Sequence, residues 1–370
     1  HFLHLFFPGA AKPGINLKRT LFVNQATLSV LMPNYNHAHY LERSLSAILD
    51  QSFQPKEIIV VDDGSTDNSV EIIEGLAKKY PIIHLVKNEK NMGIIYTFRR
   101  AMDLVTGTYF ASCAADDMVL PGLFEKSMNL LAQYPQAGFS STLLRHIYEE
   151  GTTQVIHPEL PYLSNSPCFI PPEDALRNLV ERGNCWAPHT GIWRTQAVRE
   201  AGGFPEEAGN FLDGFTIPLL FLNYGACFIP EPLGSVCFHE GNFSAIYDTE
   251  PEKYLELVEP MHKLMTAPSY REKFPREYIE DIKKRDWYTY GDIVLSKLEE
   301  AQQECLEQLN HSLPGTLTDR VFMSTVRFFA KTRKLVSKLY LFLRLRRINR
   351  FTLMQSFYRL KNRIKNWNSV

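Results

Sequence analysis

The chain has 370 residues, which is too long for one ordinary domain and long enough to bury a large core. Hydrophobic residues make up 45% of it and charged residues 22%, a composition that excludes disordered and fibrous proteins and is typical of soluble globular ones. The formal net charge of −1 conceals an asymmetry, because the residues from Arg320 onward hold 14 Lys and Arg and no Asp or Glu, while the rest carries 26 basic and 41 acidic residues, a net −15.

The cysteines and the first residues give further limits. None of the six cysteines forms a Cys-x-x-Cys pair, which argues against a metal cluster and favours a reduced, cytosolic setting. The sequence begins with His, and the apolar run Phe2–Phe7 is too short to cross a bilayer. We treat residues 1–26 as an uninformative extension. No stretch elsewhere reaches 18 uncharged apolar residues, so we predict no transmembrane helix.

From Thr27 onward, short apolar runs alternate with segments of helical periodicity. The predicted strands are Leu28–Met32 (ended by Pro33), Ile58–Val61, Ile82–Val86 and Thr108–Ser112. The predicted helices are Ala38–Asp50, Ser69–Tyr80, Ile94–Val105 and Gly122–Gln133, the last with Pro121 at a first helical position. This alternation predicts a parallel sheet with right-handed crossovers.

Two acidic clusters follow predicted strands. Asp62 and Asp63 come directly after the second strand, and Asp116 and Asp117 follow the fourth. The carboxyl ends of parallel strands meet at one edge of a sheet, where open α/β proteins bind ligands. Adjacent carboxylates repel one another and favour a cation, so the sequence predicts a cation or polar-ligand site at this edge.

Several motifs resemble, in their order and spacing, those of family 2 glycosyltransferases of the GT-A fold. The motifs are Ser29-Val-Leu-Met-Pro-Asn-Tyr-Asn36, Ile59-Val-Val-Asp-Asp-Gly-Ser-Thr-Asp67, Asn91-x-Gly93, and Gly107-Thr-Tyr-Phe110 leading to Asp116-Asp117. The likeness is strong over about residues 27–133 and weaker to about 246. It implies a Rossmann-like α/β domain with a mostly parallel central sheet and flanking helices. It also implies inverting transfer of a sugar from a nucleoside-diphosphate sugar to an acceptor hydroxyl, in cell-surface polysaccharide or glycolipid assembly.

The resemblance also implies a set of site residues. Tyr35 occupies the place where the family packs a ring on the nucleotide base, and Asp62 or Asp63 accepts from the base or ribose. Asp116 matches the metal-binding aspartate for Mn²⁺ or Mg²⁺, with Asp117 beside it and His239 in a late turn that closes on the diphosphate or metal. The full nucleotide-sugar set is Pro33, Tyr35, Asp62, Asp63, Asn91, Gly93 and Asp116.

The second half of the predicted domain is less regular. Five prolines indicate a loop over 151–172, Glu173–Arg182 is predicted to be helical, and 185–194 lies where the family shapes its acceptor pocket. Asp213 aligns with the family's general base. Ala114 and Leu212 depart from the family pattern, because an acidic residue often stands at each place.

Three alternative interpretations each lack a residue that they require, and one non-enzymatic alternative stays open. A phosphohydrolase would need an Asp at Gly64, an EF-hand a Gly at Asp67, and a dinucleotide fold glycines within 33–36. The departures at Ala114 and Leu212 instead favour a degenerate domain that binds a nucleotide sugar or acts as a scaffold. Single residues also have ordinary alternatives. These are Tyr35, Trp186 and Trp193 as core aromatics, His239 as structural and Asp213 as a helix cap, while His37, His39 and His189 are left unassigned.

The remainder of the chain is predicted to be helical. The predicted helices are Pro251–Met265, Arg271–Lys284 and Trp287–Asn310, followed by a hinge at Leu313-Pro314-Gly315. We therefore divide the chain into an extension (1–26), a GT-A domain (27–250), a helical extension (251–312) and a basic tail (313–370).

The basic tail has the composition of a helix that lies on an anionic membrane surface. Apolar residues from Phe322 to Leu343 fall near one helical face, and the basic residues lie on another. This predicts a cytoplasmic protein that is peripheral on the inner membrane face and acts on a glycan or lipid-linked acceptor. Packing of this face on the GT-A domain is an alternative. Nucleic acid is the lesser one because the body is acidic and holds no nucleic-acid motif, so we predict no nucleic-acid partner.

Overall fold

The computed structural model describes residues 26–148, 154–156, 163–183, 186–238, 250–297 and 320–321. The strands within them are β1 (Leu28–Asn34), β2 (Glu57–Asp62), β3 (Ile83–Lys87), β4 (Tyr109–Ser112), β5 (Met118–Val119), β6 (Phe139–Tyr148), β7 (Gln154–Ile156), β8 (Cys168–Ile170), β9 (Ile192–Arg194) and β10 (Ala226–Phe238). The helices are α1 (Ala38–Leu49), α2 (Ser69–Lys79), α3 (Ile94–Asp103), α4 (Leu123–Gln133), α5 (Pro172–Arg182), α6 (Thr195–Ala201), α7 (Leu212–Tyr224), α8 (Pro251–Thr266) and α9 (Arg276–Lys297). Two 3₁₀ helices span Pro188–Thr190 and Glu206–Ala208.

The strands form one sheet in the order β3-β2-β1-β4-β9-β6-β10-β5. The first four strands run parallel, as the alternation of strands and helices predicted. Strand β9 then pairs antiparallel with both β4 and β6, and β6 pairs parallel with β10. The parallel half therefore continues into a mixed half, and the two meet at β4 and β9.

Two apolar cores cover the faces of the sheet, which gives a three-layer α/β architecture. Leu31, Ile59 and Val61 point into one core, together with α3 and α7. Leu28, Val30 and Met32 point into the other, together with α1 and α4. Successive residues of a strand face opposite sides, so strands buried on both faces read as continuous apolar runs in the sequence.

Two predicted boundaries were wrong by a few residues. β1 does not end at Pro33 but continues to Asn34, because pairing with β4 stops at Leu31 and the missing N–H of the proline breaks no bond there. Helix α4 begins at Leu123 and not at Gly122, which has a positive φ of 88° as the N-cap residue. Pro121 therefore lies before the helix.

Two larger predictions also need correction. The predicted loop over 151–172 contains β7 and β8, which pair with β6 and β10 in the mixed half of the sheet. The predicted break between Lys284 and Trp287 does not exist, because α9 runs continuously from Arg276 to Lys297. Arg285 explains the continuity in part, since it pairs with Asp281 one turn earlier at 2.5 Å and donates to the Val180 carbonyl at 2.6 Å.

The last two described helices pack against the sheet domain. Met261, Met265, Phe274 and Tyr278 are buried in the same core as α3 and α7. His262 Nε2 lies 2.7 Å from Asp286 Oδ2, and Tyr254 donates to the other oxygen of that carboxylate at 3.0 Å. These contacts join α8 to α9 across a largely buried polar interface.

Some predictions concern residues outside the described ones. These are the predictions for His239, for the N-terminal extension before residue 26, and for the basic tail apart from residues 320–321. Among the helices that the structure describes, none has the length and apolar character needed to cross a membrane.

A small buried network closes the end of the sheet opposite the strand carboxyl ends. Ser29 Oγ donates to Glu57 Oε1, which also accepts the backbone N–H of Thr106 at 2.8 Å. Ser29 Oγ in turn accepts the N–H of Gly107 at 2.9 Å. A Cβ at Gly107 would lie 2.7 Å from the backbone nitrogen of Ser29, so only glycine fits this close approach of β1 and the residues that lead into β4.

We expect Gly107→Ala to lower the free energy of unfolding by about 1–3 kcal/mol, because backbone atoms must move to admit the methyl group. Gly75→Ala is the matched control, since its Cβ would meet nothing within 4 Å inside helix α2. That variant should be stabilised by ~0.5–1 kcal/mol. Urea denaturation of the three proteins measures both changes, and equal stabilities of the two variants would contradict the packing argument.

Candidate active site

The carboxyl ends of β1, β2 and β4 place both acidic clusters at the same edge of the sheet. Asn34 at the end of β1 is in register with Asp62 at the end of β2, and Leu31 is in register with Ser112 at the end of β4. The residues that follow these strands therefore meet beside the start of α1. The sequence predicted this convergence from the strand pattern alone.

Asp62 holds the ends of β1 and β2 together. Its Oδ2 accepts from Asn34 Nδ2 and Ser65 Oγ, both at 2.7 Å, and its Oδ1 accepts the Ser65 N–H at 2.9 Å. A carboxylate has about four acceptor sites, so three of those on Asp62 are used within the protein. The side chain is 1% exposed, and only a closely approaching donor group could reach the remaining site.

Asp63 organises the turn between β3 and α3. Its Oδ1 accepts from Asn88 Nδ2 at 2.7 Å and the Met92 N–H at 2.8 Å, while Oδ2 accepts the Gly93 N–H at 2.9 Å. The Asn91 Oδ1 accepts the same Gly93 N–H at 3.0 Å. One acceptor site again remains, now on Oδ2. Asp63 thereby fixes the loop on which Asn91 and Gly93, two predicted donor-binding residues, lie.

Gly64 is explained by the same turn. Its φ is 71°, and a Cβ at this position would lie 2.6 Å from the backbone carbon of Lys90. The Asp-Asp-Gly motif therefore combines two acceptors with the one residue that lets the β3–α3 turn lie directly against the strand end.

The residues after β1 leave one aromatic ring open to solvent. Pro33 is followed by the buried Asn34 and then by Tyr35, which is 40% exposed. The interpretation of Tyr35 as a core aromatic is therefore wrong. Asp67 Oδ2 accepts the Ala38 N–H at 3.0 Å, so the β2–α2 turn also holds the first residue of α1.

Helix α1 holds the backbone of the second acidic cluster, Asp116 and Asp117, in place. Buried Ser44 Oγ lies 2.6 Å from the Ala115 carbonyl oxygen and 2.9 Å from that of Asp117. Arg43 donates to the Asp116 carbonyl at 3.0 Å. These contacts fix the backbone of residues 115–117, so the two carboxylates extend from a rigid loop.

The two carboxylates have different surroundings. Asp117 is buried, and its Oδ1 accepts the Cys237 N–H at 3.1 Å while its Oδ2 lies 2.8 Å from His189 Nδ1. Asp116 is half-buried and lies four residues after the end of β4. A carboxylate oxygen accepts hydrogen bonds, so Nδ1 of His189 is the nitrogen that donates to Asp117.

His189 is a site residue that the sequence analysis left unassigned. It lies on the 3₁₀ helix Pro188–Thr190, which is tied to β6 because Thr190 Oγ1 accepts the Thr142 N–H at 3.1 Å and Ser141 Oγ accepts the Ala187 N–H at 3.0 Å. The only signal for it in the sequence was its place within 185–194, the segment that the resemblance assigns to the acceptor pocket. Nothing in the spacing indicated its contact with the distant Asp117.

Asp213 lies in the first turn of α7, where its Oδ1 accepts the Gly214 N–H at 2.9 Å. Burial raises the pKa of Asp213, outweighing that bond and the charge of His189, which both lower it. Burial alone would lower the pKa of His189, but the bond with Asp117 and the charges of Asp117, Asp213 and Asp116 raise it. The three carboxylates and His189 therefore form one electrostatic cluster.

The two tryptophans predicted near the acceptor pocket lie in the core. Trp186 and Trp193 are each 2% exposed, and Trp193 stacks on Phe110 with ring centroids 6.2 Å apart. Their core alternative is therefore confirmed, and the segment contributes to the site through His189 instead.

The described residues fit a divalent cation that is shared with a substrate. They contain no group of three or more His, Cys, Asp or Glu side chains that would form a complete metal cage. Mg²⁺ sites on phosphate substrates use only one or two carboxylates, with phosphate oxygens and water as the other ligands. The half-buried Asp116 and its neighbour Asp117 supply carboxylates of this kind at one edge of the sheet.

Comparison with known proteins shows that the first part of the site resembles a known family. Residues 29–187 match the family model described as Glycosyl transferase family 2. The chain is 31% identical over 153 residues to the putative teichuronic acid biosynthesis glycosyltransferase TuaG of Bacillus subtilis, covering 41% of this chain and 58% of that protein. It is 37% identical over 103 residues to the uncharacterized glycosyltransferase YibD of Escherichia coli, covering 28% and 30%. The chain thus spans less than two thirds of the curated relatives it matches, and Asp213 lies beyond the matched family region.

Solved structures show the same fold. The S. aureus TarS 1-349 structure in complex with UDP-GlcNAc has a TM-score of 0.54 at 16% identity, covering 85% of this chain and 90% of that chain. The Pyrobaculum calidifontis mannosyltransferase PcManGT in complex with GDP-Man and Mn²⁺ has a TM-score of 0.50 at 17% identity, covering 85% and 87%. The predicted GT-A fold is therefore confirmed.

We expect Asp63→Asn to loosen the β3–α3 turn. Whichever way the amide is oriented, an NH₂ group replaces one accepting oxygen and faces a backbone N–H. The loss of that bond should lower the free energy of opening at the Met92 and Gly93 amides by about 1–3 kcal/mol. Hydrogen exchange at these amides measures the change, with the exposed Asp50→Asn as control. Unchanged protection in Asp63→Asn would show that the turn does not depend on this carboxylate.

Proposed function

We propose that this chain, whose residues 29–187 form a family 2 glycosyltransferase domain, transfers a sugar from a nucleoside-diphosphate sugar to an acceptor hydroxyl with inversion. One observation carries the proposal. His189 lies 2.8 Å from the buried carboxylate of Asp117, and the charges of Asp116 and Asp213 also act on it, at the junction between the parallel and mixed halves of the sheet. Such a cluster supplies both a site for a highly charged leaving group and a base beside it.

The donor would bind at the carboxyl ends of β1 and β2. The exposed ring of Tyr35, which follows Pro33, supports stacking on the base, and the one remaining acceptor site on each of Asp62 and Asp63 supports a bond from the base or ribose. Asn91 and Gly93 would form the neighbouring wall. The solved relatives hold UDP-GlcNAc and GDP-Man, which supports a nucleoside-diphosphate sugar as the class of donor.

Asp116 would hold a divalent cation, Mn²⁺ or Mg²⁺, which when bound supplies positive charge to a diphosphate leaving group. The Mn²⁺ in the PcManGT structure supports this assignment. Asp117 would act mainly on His189, whose charge also lowers the pKa of Asp213. His239 lies outside the described residues, and we propose from the sequence that it contacts the diphosphate or the metal.

Asp213 would act as the general base. The acceptor oxygen forms a bond to the anomeric carbon of the donor and loses its proton to the Asp213 carboxylate. The bond from that carbon to the diphosphate oxygen breaks, and the nucleoside diphosphate leaves with the electron pair. A single displacement from the opposite face inverts the anomeric centre.

The place of this reaction is also part of the proposal. The TuaG relative is named for teichuronic acid biosynthesis, which supports polysaccharide assembly as the process. The basic residues from Arg320 onward support attachment to an anionic membrane surface, where a glycan or lipid-linked acceptor would be present.

Asp116→Asn tests the donor side of the site. We expect it to abolish transfer and to remove the rise in melting temperature that UDP or GDP gives in the presence of Mn²⁺, because a neutral amide is a poorer ligand than a carboxylate. Thermal shift with a panel of nucleotide sugars measures binding and also identifies the donor. Asp174→Asn, on helix α5, is the control. Full metal-dependent activity in Asp116→Asn would refute the assignment.

Asp213→Asn tests the base. Turnover should fall by ~10²-fold or more while donor affinity stays nearly constant, since a base acts on the transition state. In the unmodified protein only ionised Asp213 accepts the proton, so activity should fall on acidification through its pKa, at a pH above the ordinary carboxyl value of 3.8 because burial raises that pKa. The variant should lack this acid limb in its pH profile.

Two other results would redirect the proposal. A collapse of donor affinity in Asp213→Asn would place this residue on the donor side or make it structural. Nucleotide-sugar binding by the unmodified protein without hydrolysis or transfer to any acceptor pool would favour the degenerate binding module.

A further inference from the structure

A groove beside helix α3 adjoins the proposed donor site and shares Gly93 with it. This α3 groove is lined among others by Met92, Ile94, Tyr96, Arg99, Glu206 and Asn210, and its volume is about 570 Å³. Small-molecule sites in proteins typically measure ~300–1,000 Å³. One wall is the first part of α3 and the other is the turn around the 3₁₀ helix Glu206–Ala208.

The α3 groove exposes an unusual amount of apolar surface. Met92 is 43%, Ile94 41% and Tyr96 48% exposed. Within the described part of the chain only six large hydrophobic side chains are exposed, so half of them line this one groove. Clustered exposed apolar side chains with a polar rim mark binding surfaces, whereas single ones need no explanation.

The charged groups of the groove balance one another. Two basic residues, Arg99 and Arg100, and two acidic ones, Asp103 and Glu206, line it, so the formal charge of the lining is zero. Arg99 Nη1 lies 2.6 Å from Glu206 Oε2, and both side chains are well exposed, so the pair is weak and can exchange its partners for other hydrogen-bonding groups. A polyanionic ligand would find no excess of positive charge here.

The groove adjoins both the donor turn and the segment that leads into helix α7. Gly93 at one end donates its N–H to Asp63 on the donor side. Asn210 at the other end lies three residues before Asp213, the proposed base. A ligand in the groove therefore lies beside the donor turn at Gly93 and beside the segment that leads into α7 at Asn210.

We propose that the α3 groove binds a neutral oligosaccharide, which is the sugar acceptor. A sugar ring has an apolar C–H face that suits the exposed ring of Tyr96, and its hydroxyls donate to carboxylates and accept from guanidinium groups. The zero net charge of the lining favours a neutral glycan over a phosphate- or uronate-rich one. The assignment of this glycan as the sugar acceptor rests on the proposed function, whereas the presence of a glycan-binding site does not depend on it.

The test uses full-length protein and a panel of tetrasaccharides, some neutral and some containing uronic acids. Binding is measured by saturation-transfer NMR and titration calorimetry. We expect at least one neutral tetrasaccharide to bind, and Tyr96→Ala to weaken that binding about tenfold through loss of the stacking surface. Tyr96→Phe keeps the ring and should retain most of the affinity.

Leu104→Ala is the control for removing an exposed apolar side chain, since Leu104 is 43% exposed just after α3 and lies outside the groove. Circular dichroism confirms that each variant is folded. Binding to none of the tetrasaccharides, equal affinity in Tyr96→Ala and unmodified protein, or preference for the uronic-acid members would each overturn the proposal.

A parallel measurement separates this proposal from the proposed function. The shift in melting temperature with UDP or GDP and Mn²⁺ is recorded on the same unmodified protein. Tyr96-dependent glycan binding without any nucleotide binding would uphold the groove and refute the transferase. Nucleotide binding without glycan binding would support the transferase and refute glycan binding in the groove.

Discussion

The buried carboxylate of Asp63 is the interaction on which the donor side of the site depends. A buried charge is costly unless its acceptor sites are filled, and three N–H donors from Asn88, Met92 and Gly93 fill three of them. All three donors belong to the chain between β3 and α3. The need to satisfy one charge at the end of β2 therefore determines the path of a turn that has no regular secondary structure. Gly64 permits that path because any side chain there would collide with Lys90.

The second half of the site depends on a different kind of contact. Neutral hydrogen bonds from Ser141 and Thr190 hold the 187–190 segment on β6 and bring His189 to Asp117. Asp213 reaches the same cluster from the start of α7, which packs in the core beside Trp186 and Trp193. The aromatic core thus sets the position of α7, and α7 sets the position of the proposed base. The two tryptophans support the chemistry from the interior without contacting the surface of the site.

The sequence predicted the parallel half of the fold well because local signals and tertiary structure agree there. Each strand from Leu28 to Ser112 is a mostly apolar run that a periodic helix follows, so strand ends and their acidic residues could be placed from the sequence pattern. The mixed half offers no such agreement. Strands β7 and β8 are three residues each and lie among prolines, and they exist only because β6 and β10 provide partners. The contact between His189 and Asp117 could not be predicted for the same reason. It depends on the order of the strands in the sheet, and the periodicity of the sequence does not contain that order.

The donor and acceptor sides differ in how firmly they are held, and the difference suits the proposed chemistry. Arg100 donates to the Lys87 carbonyl and to Asn88 Oδ1, and Asn88 donates to Asp63, so the donor turn and one wall of the α3 groove share a chain of hydrogen bonds. Asn88 and Asp63 are almost fully buried, and bonds within such a low-dielectric network are strong. At the surface of the groove, the opposite wall is joined to α3 through the exposed Arg99–Glu206 pair, which solvent weakens. A donor whose chemistry does not vary binds more tightly to a turn that is already ordered, because binding then loses little free energy to ordering the loop. An acceptor that must enter, present one hydroxyl and leave as a longer product gains from a wall whose contacts are easily exchanged.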